Sequence, residues 1–314
     1  MKKTFSLFLI YTCLLLAIPA HLQAQTVYDY QAIDYQAATD TQVWGINGRG
    51  LVVGNGWDEL IDYPFVYDPK TDTFVDVVPL AEFDNTSLIG ISTSGYLVGS
   101  VDDYYLETRS GLILDRKGNA TLFDHPDAIS TTGPRGVNNA GLVSGFYDLE
   151  EGRLAGFVFN PKTGTFTNFV PSWSTIAHGI NSAGEVVGSA LYWDEETPCG
   201  PTPEFGIAQY GFLRTSDGTV TFFDVNGWRT RARGITDTGT IAGWVTDPGT
   251  RMIKGFVTEY DGTDCLSITI PEDELLVFPG SNITFVEGIK ATGEVIGSYV
   301  DELDLYHGFI ATPQ

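Results

Sequence analysis

Six segments of this chain share one register of glycines, and no other feature narrows the possible folds so far. WGINGRGLVVG, IGISTSGYLVG, RGVNNAGLVSG, HGINSAGEVVG, RGITDTGTIAG and EGIKATGEVIG carry Gly45, Gly90, Gly136, Gly179, Gly234 and Gly288 in second place. A further glycine follows five residues on and another nine residues on in every copy. Self-similarity of this kind means stacked or radially arranged units. Within each copy, aliphatic and β-branched residues flank a polar pair ending in glycine, the pattern of two strands joined by a tight turn. A third strand follows a connection of variable length (YPFVYDP, SGLILDR, AGFVFNP, YGFLRTS, KGFVTEY, HGFIATP). A second short turn, as in NPKTGTF, then leads to a fourth strand such as VTFFDV. Four strands per period without helical spacing predict an all-β fold. The expected architecture is a six-bladed β-propeller of four-stranded antiparallel blades, with repeats starting near Trp44, Ile89, Arg135, His178, Arg233 and Glu287.

The last repeat stops at Gln314, after its third strand. Its missing strand is at the other end of the chain, between Tyr28 and Gln42, where Ile33 and Asp34 precede the first repeat much as Phe223 and Asp224 precede Arg233. The last blade is therefore expected to be closed by the N-terminal strand, which removes the free edges that invite aggregation. An open solenoid would need caps at both ends and leaves the complementary missing strand unexplained.

With these residues on the page, the chain resembles the extracellular HAF-repeat family, whose repeats carry a GINxxGxVVG hairpin followed by an HGF-type strand; His307 to Ile310, HGFI, is the nearest copy. The resemblance spans nearly the whole chain after residue 25 and implies a repetitive extracellular β-propeller-like architecture. It transfers no catalytic residues. Departures are Pro64 before Phe65, where glycine is expected, and a long insertion from Leu191 to Gln209.

Residues 1–24 read as a secretory signal peptide: Lys2 and Lys3, an apolar run from Phe5 to about Ala20, and a small-residue exit at Ala24. The run is shorter than a spanning helix requires. Residues 25–314 are then the propeller, secreted to the periplasm or the medium. The formal charge of −23 loses two lysines and no acids with the signal, giving −23 − 2 = −25. Such a field argues against nucleic acid and anionic membranes as partners. Cys13 belongs to the signal. Cys199 and Cys265 remain, and in an oxidising compartment they are expected to form a disulfide. Sequons at Asn85, Asn119 and Asn282 matter only in a host that glycosylates.

The tight turns form one face and the variable loops the other, and variable loops on a rigid scaffold carry function. Those loops pair aromatic and acidic residues: Trp57, Asp58 and Glu59; Asp102 to Tyr105; Tyr147 and Asp148; Tyr192 to Glu195; Asp247; Tyr299 and Asp301. Sugar rings suit such surfaces, stacking through their C–H faces while hydroxyls donate to carboxylates. Each single aspartate is more readily explained as a loop cap. Calcium would find many oxygens here, but no EF-hand or RTX spacing appears and no metal ligand or cofactor is assigned.

The residue before the first glycine of each repeat reads, around the ring, Trp44, Ile89, Arg135, His178, Arg233 and Glu287. These six should converge at the loop-face mouth of the channel. Two arginines flanking a histidine make a cationic spot for a carboxylate or sulfate, with His125 as a further candidate; a satisfied polar plug is the alternative. Lys254 and His307 read as loop residues. Three functions stay open: a binder of carbohydrate or another anionic extracellular ligand, a lyase or hydrolase on an anionic polysaccharide with His178 or Glu287 moving protons, and a structural or adhesive surface protein. The chain is expected to be a monomer. It lacks the serine-elbow, zinc-protease, phosphate-loop and dinucleotide signatures, and TSDGTVTF at Thr215 is a hairpin turn and not an aspartate box.

Overall fold

The computed structural model describes residues 26–58, 62–77, 85–169, 172–193, 197–200 and 206–314. The signal-peptide reading, Cys13, Glu59, Asp194 and Glu195 lie outside the described residues. The molecule is an all-β propeller. Each repeat supplies an antiparallel meander whose first, inner strand lies on a common axis: Asp40–Ile46, Thr86–Ile91, Thr132–Val137, Ser174–Ile180, Arg229–Ile235 and Thr284–Ile289.

The repeated glycines explain how these inner strands approach. A Cβ on Gly45 would sit 2.8 Å from the Ile89 carbonyl oxygen, and one on Gly136 would sit 2.5 Å from that of His178; Gly90, Gly179 and Gly234 abut the next inner strand in the same way, and Gly288 meets Ile46. Only glycine lets six strands crowd one axis. The next glycine closes the hairpin, as Gly50 does at φ 90°. Asparagine of the GIN signature has two tasks. Asn138 accepts from the Ala140 and Leu142 N–H groups in its own turn and donates through Nδ2 to the Asn181 carbonyl in the neighbouring repeat at 3.0 Å; Asn47 and Asn181 repeat the pattern.

Apolar cores lie between neighbouring repeats. Phe65, Phe157, Phe212, Phe256 and Phe309, each from a third strand, are fully buried. One cluster joins Val187, Leu213 and Phe223 to Ile241, Val245 and Phe256 of the following repeat, and another joins Val43, Val52 and Phe65 to Ile296 and Ile310 across the chain termini. The N-terminal strand Tyr28–Ile33 pairs antiparallel with Tyr306–Pro313, from Tyr28 opposite Pro313 to Ile33 opposite Gly308. The terminal strands thus share one four-stranded sheet.

The expectation of separate four-stranded blades throughout holds only in part. Among the described residues there are three four-stranded sheets, one of three strands and one of nine. Two departures account for this. The third and fourth repeats join through a single parallel pair, Leu154 with Ser174. The fifth repeat keeps three strands, and its next segment, Leu266–Ile268, pairs in parallel with the outer strand Val220–Val225 of the fourth. Side chains hold that crossing in place: Asp264 accepts from the Phe222 N–H, the buried Tyr260 hydroxyl donates to the Phe222 carbonyl, and Cys265 is disulfide-bonded to Cys199. The expected disulfide is therefore present, tying the Leu191–Gln209 insertion to the crossing strand. The two ends of that insertion lengthen a hairpin, which stays paired out to Trp193 opposite Ile207.

Candidate functional site

In all six repeats the pairing of inner and second strands slips at the residue before the first glycine: between Val43 and Gly45, Leu88 and Gly90, Pro134 and Gly136, Ala177 and Ile180, Ala232 and Gly234, and Val286 and Gly288. Trp44, Ile89, Arg135, His178, Arg233 and Glu287 thus occupy β-bulges, which re-aim a side chain. A channel is lined by Trp44, Ile89, Arg135, Arg233 and Glu287 together with the glycines and the aliphatic residues that follow them, Ile46, Ile91, Val137, Ile180, Ile235 and Ile289. On the tight-turn side of this aliphatic collar lie Asn47, Ser92, Asn138, Asn181 and Thr236. The loop-face side is cationic.

The structure brings Arg135, His178, Arg233, Glu287 and Trp44 together, but not as equals. Arg233 donates through Nε to Glu287 and forms an ion pair with it, both side chains being less than a tenth exposed. Its Nη1 lies 2.9 Å from Nδ1 and 3.1 Å from Nε2 of His178, and its guanidinium sits 5.7 Å from the Trp44 ring centroid. A guanidinium only donates, so the imidazole accepts and is neutral. Burial, reinforced by Arg233 and Arg135, holds His178 well below the usual imidazole range. This half of the ring is the satisfied polar plug.

Arg135 is different. It stacks over Phe146 at 5.2 Å, and its buried Nε has no hydrogen-bond partner. Burial, then repulsion from Arg233, lowers its guanidinium to about 9. Arg231, which the sequence reading passed over, has the same character. It lies 4.6 Å over the Trp244 ring, its Nε is buried and unpartnered, and burial followed by Arg233 lowers it to about 10. The indole N–H of Trp244 is likewise buried without a partner.

Arg135, Arg231 and Trp244 border one cavity of about 200 Å³, completed by Gln42, Trp44, Arg233, Phe285, Glu287, Ser298 and Tyr306. Five buried side-chain polar atoms lack a partner among the described residues, and three of them, all N–H donors, belong to residues of this cavity. Its formal charges are three guanidinium cations against the Glu287 carboxylate. A second cavity of about 440 Å³ adjoins it, sharing Gln42, Trp44 and Arg135 and adding Asn55, Trp57, Asp62, Ser87, Ser100, Asp102 and Arg109. Arg109 is held there in a two-pronged pair with Asp102 at 2.6 and 2.9 Å.

Arg231 had a signal. It is two residues before Arg233 in RTRARG, and period-2 alternation places residues two apart on the same face of a strand. Gln42, Ser87, Gly133 and Phe285 stand in the same relation to Trp44, Ile89, Arg135 and Glu287, and all line one of the two cavities.

His125 is not with them. It is buried, stacked on Tyr147 at 3.6 Å; its Nδ1 accepts from the Asp127 N–H and its Nε2 lies 2.9 Å from Asn168 Oδ1. It fixes its own loop. Asp103, Asp148, Asp247 and Asp301 are loop caps, as the sequence favours for each singly, whereas Asp102 pairs with Arg109 and Asp58 accepts from the Tyr63 hydroxyl. Asp148 accepts from the Ile129, Ser130 and Thr131 N–H groups, and Asp301 from those of Leu303 and Leu305. The Thr250 hydroxyl and the Gly249 and Thr250 N–H groups hold Asp247 down at about 2. No group of three or more His, Cys, Asp or Glu side chains among the described residues is placed to hold a metal ion. Of the loop aromatics, Tyr147 and Tyr192 are buried, while Tyr104, Tyr105 and Trp193 are exposed. Lys254 is not the ordinary loop residue expected, being buried between Asp247 and the Trp228 ring.

No family model matches the chain, and no curated protein matches it. Solved structures do. The β-propeller domain of the trilobed protease from Pyrococcus furiosus, described as having an open velcro topology, is similar over 87% of this chain and 97% of its own, with a TM-score of 0.50 and 9% identity. A streptogramin B lyase is similar over 91% of this chain and 98% of its own (TM-score 0.46, 14% identity), as is virginiamycin B lyase from Staphylococcus aureus over 91% and 99% (TM-score 0.46, 13% identity). The first supports the propeller fold and carries nothing about chemistry. In this chain, unlike an open ring, the terminal strands pair.

Proposed function

We propose that this chain is a secreted, six-bladed propeller, one blade per repeat, that binds an anionic extracellular ligand, a carbohydrate carrying a carboxylate or sulfate, at the loop-face mouth of its channel. The six inner strands on one axis support the blade count, with Leu266–Ile268 serving as the fifth repeat's displaced fourth strand. The disulfide and the absence, among the described residues, of any helix long and apolar enough to cross a membrane are compatible with secretion.

One observation carries the binding reading: three residues that each hold a buried N–H donor without an acceptor, two of them arginines, line a single cavity whose cations outnumber its carboxylates. Leaving a buried donor unmade costs on the order of 1–3 kcal/mol. An oxyanion in this cavity would lie among the Arg135, Arg231 and Trp244 side chains and offer them the acceptor they lack. Half-buried Trp44 offers a ring face of the kind that sugars stack on. The lyase or hydrolase alternative has less support, because His178 lies buried against Arg233 and Glu287 is engaged by the same guanidinium.

Titration calorimetry tests the reading. D-glucuronate or its sulfated analogues are expected to bind and D-glucose is not, and Arg135→Ala should weaken the uronate by about tenfold or more. Binding of neutral sugars that survives Arg135→Ala would overturn it.

A further inference from the structure

The mouth is two cavities and not one, and their chemistry differs. The smaller has Arg135, Arg231 and Arg233 against Glu287. In the larger, Arg109 is neutralised by its two-pronged pair with Asp102, and the shared Arg135 lines the cavity along with Asp62. Burial, followed by repulsion from Asp102, pushes the Asp62 carboxyl up, so this end already disfavours negative charge. A second anionic group there would meet the Asp62 carboxylate, with the charge of Arg109 already taken up by Asp102. A hydroxylated, uncharged group would meet acceptors at Asp62 and Asp102 and amide or hydroxyl partners at Asn55, Ser87 and Ser100.

An aromatic wall runs from one cavity to the other. Trp44 lines both, and Trp57 of the larger packs against Tyr306 of the smaller at 5.9 Å. Neighbouring ring faces at that spacing suit consecutive sugar residues, whose apolar faces stack while their hydroxyls reach sideways.

Resting on the anion-site reading above, we infer that the ligand is a mixed oligosaccharide lying across both cavities, its acidic residue held by Arg135 and Arg231 and its uncharged neighbour against Trp57 and Asp62. The selected class is therefore a glycan in which acidic and neutral residues alternate. A homopolymer of uronic acid is selected against, because its second carboxylate falls beside Asp62 and Asp102.

Three probes test this by calorimetry on the disulfide-bonded chain: D-glucuronate, the disaccharide of glucuronate linked to glucose, and the disaccharide of two glucuronates. The mixed disaccharide should bind about tenfold more tightly than glucuronate, and the diuronate no more tightly than glucuronate. Trp57→Ala should erase the disaccharide's advantage over glucuronate when both are measured in that variant; Trp57→Phe, which keeps a ring against Tyr306, should retain most of it. Asp62→Asn should improve the diuronate selectively. Equal binding of all three probes, with Trp57→Ala without effect, overturns the two-cavity inference and leaves the anion site standing. No binding of any probe overturns both.

Discussion

Three arginines at one mouth make different energetic demands. Arg233 is committed to Glu287, whose side chain is 6% exposed. Removing one partner of such a pair strands a buried charge, and Arg233→Ala is expected to cost about 3–5 kcal/mol in urea denaturation. Arg231 carries a buried charge with no acceptor at its Nε, so Arg231→Ala should leave stability unchanged or raise it, while weakening uronate binding by about tenfold. A large loss of stability in Arg231→Ala would mean that its guanidinium is internally satisfied. The sequence disclosed the mouth residues unevenly, for a physical reason. The position before each first glycine is conspicuous because the glycine register marks it, but the bulge that turns its side chain is a property of strand pairing and has no residue signature. His125 misled because its partners, Tyr147 and Asn168, are distant in the chain.

At the scale of strands, the ring closes through Tyr28–Ile33, and a histidine guards the junction. His307 Nδ1 lies 2.8 Å from Asp34, just beyond the N-terminal strand, and Nε2 lies 3.2 Å from Asp301, with Tyr299 stacked alongside. Burial pulls the His307 imidazole down, but hydrogen bonds to Asp34 and Asp301 outweigh it and raise it above its ordinary value. A raised histidine contributes stability that is fully present below its unfolded-state range and is lost as pH rises through the folded value. Wild-type denaturation midpoints should therefore fall as pH rises above the ordinary imidazole range, about 6.5, and His307→Gln should flatten that slope. An unchanged slope in the variant would remove His307 as its source. Deleting residues through Ile33 removes that buried core residue and leaves Tyr306–Pro313 as a free edge, so the truncated chain should lose cooperative unfolding and aggregate.

The crossing strand Leu266–Ile268 makes a second test of elements. Replacing both Cys199 and Cys265 with serine is expected to cost about 2–4 kcal/mol, with the gain in amide hydrogen exchange concentrated at that strand and its partner Val220–Val225. Uniform loss of protection would mean that the bridge acts only on the unfolded chain. The glycine register foretold every meander, since tight turns and inner-strand crowding are local demands. It could not foretell the crossing, which depends on Tyr260, Asp264 and Cys265 reaching a neighbouring repeat.

The whole molecule is an acidic body, of formal charge −23 for the full chain, around a cationic mouth. The loop aspartates that give this charge mostly cap backbone N–H groups and do not gather into a cation site. Held below the ordinary carboxylate range, Asp247 and Asp148 contribute stability above their unfolded-state values and lose it as pH falls through their folded ones. Stability is therefore expected to decline below about pH 4. On the proposed reading, an anion approaches against the net charge and is retained where Arg135 and Arg231 line the mouth. Crystals of the protein soaked in D-glucuronate put this most directly to the test. The carboxylate should lie in the smaller cavity, within hydrogen-bond distance of Arg135, Arg231 and the Trp244 indole N–H; a uronate seated elsewhere, with that cavity unchanged at saturating ligand, would contradict the anion site.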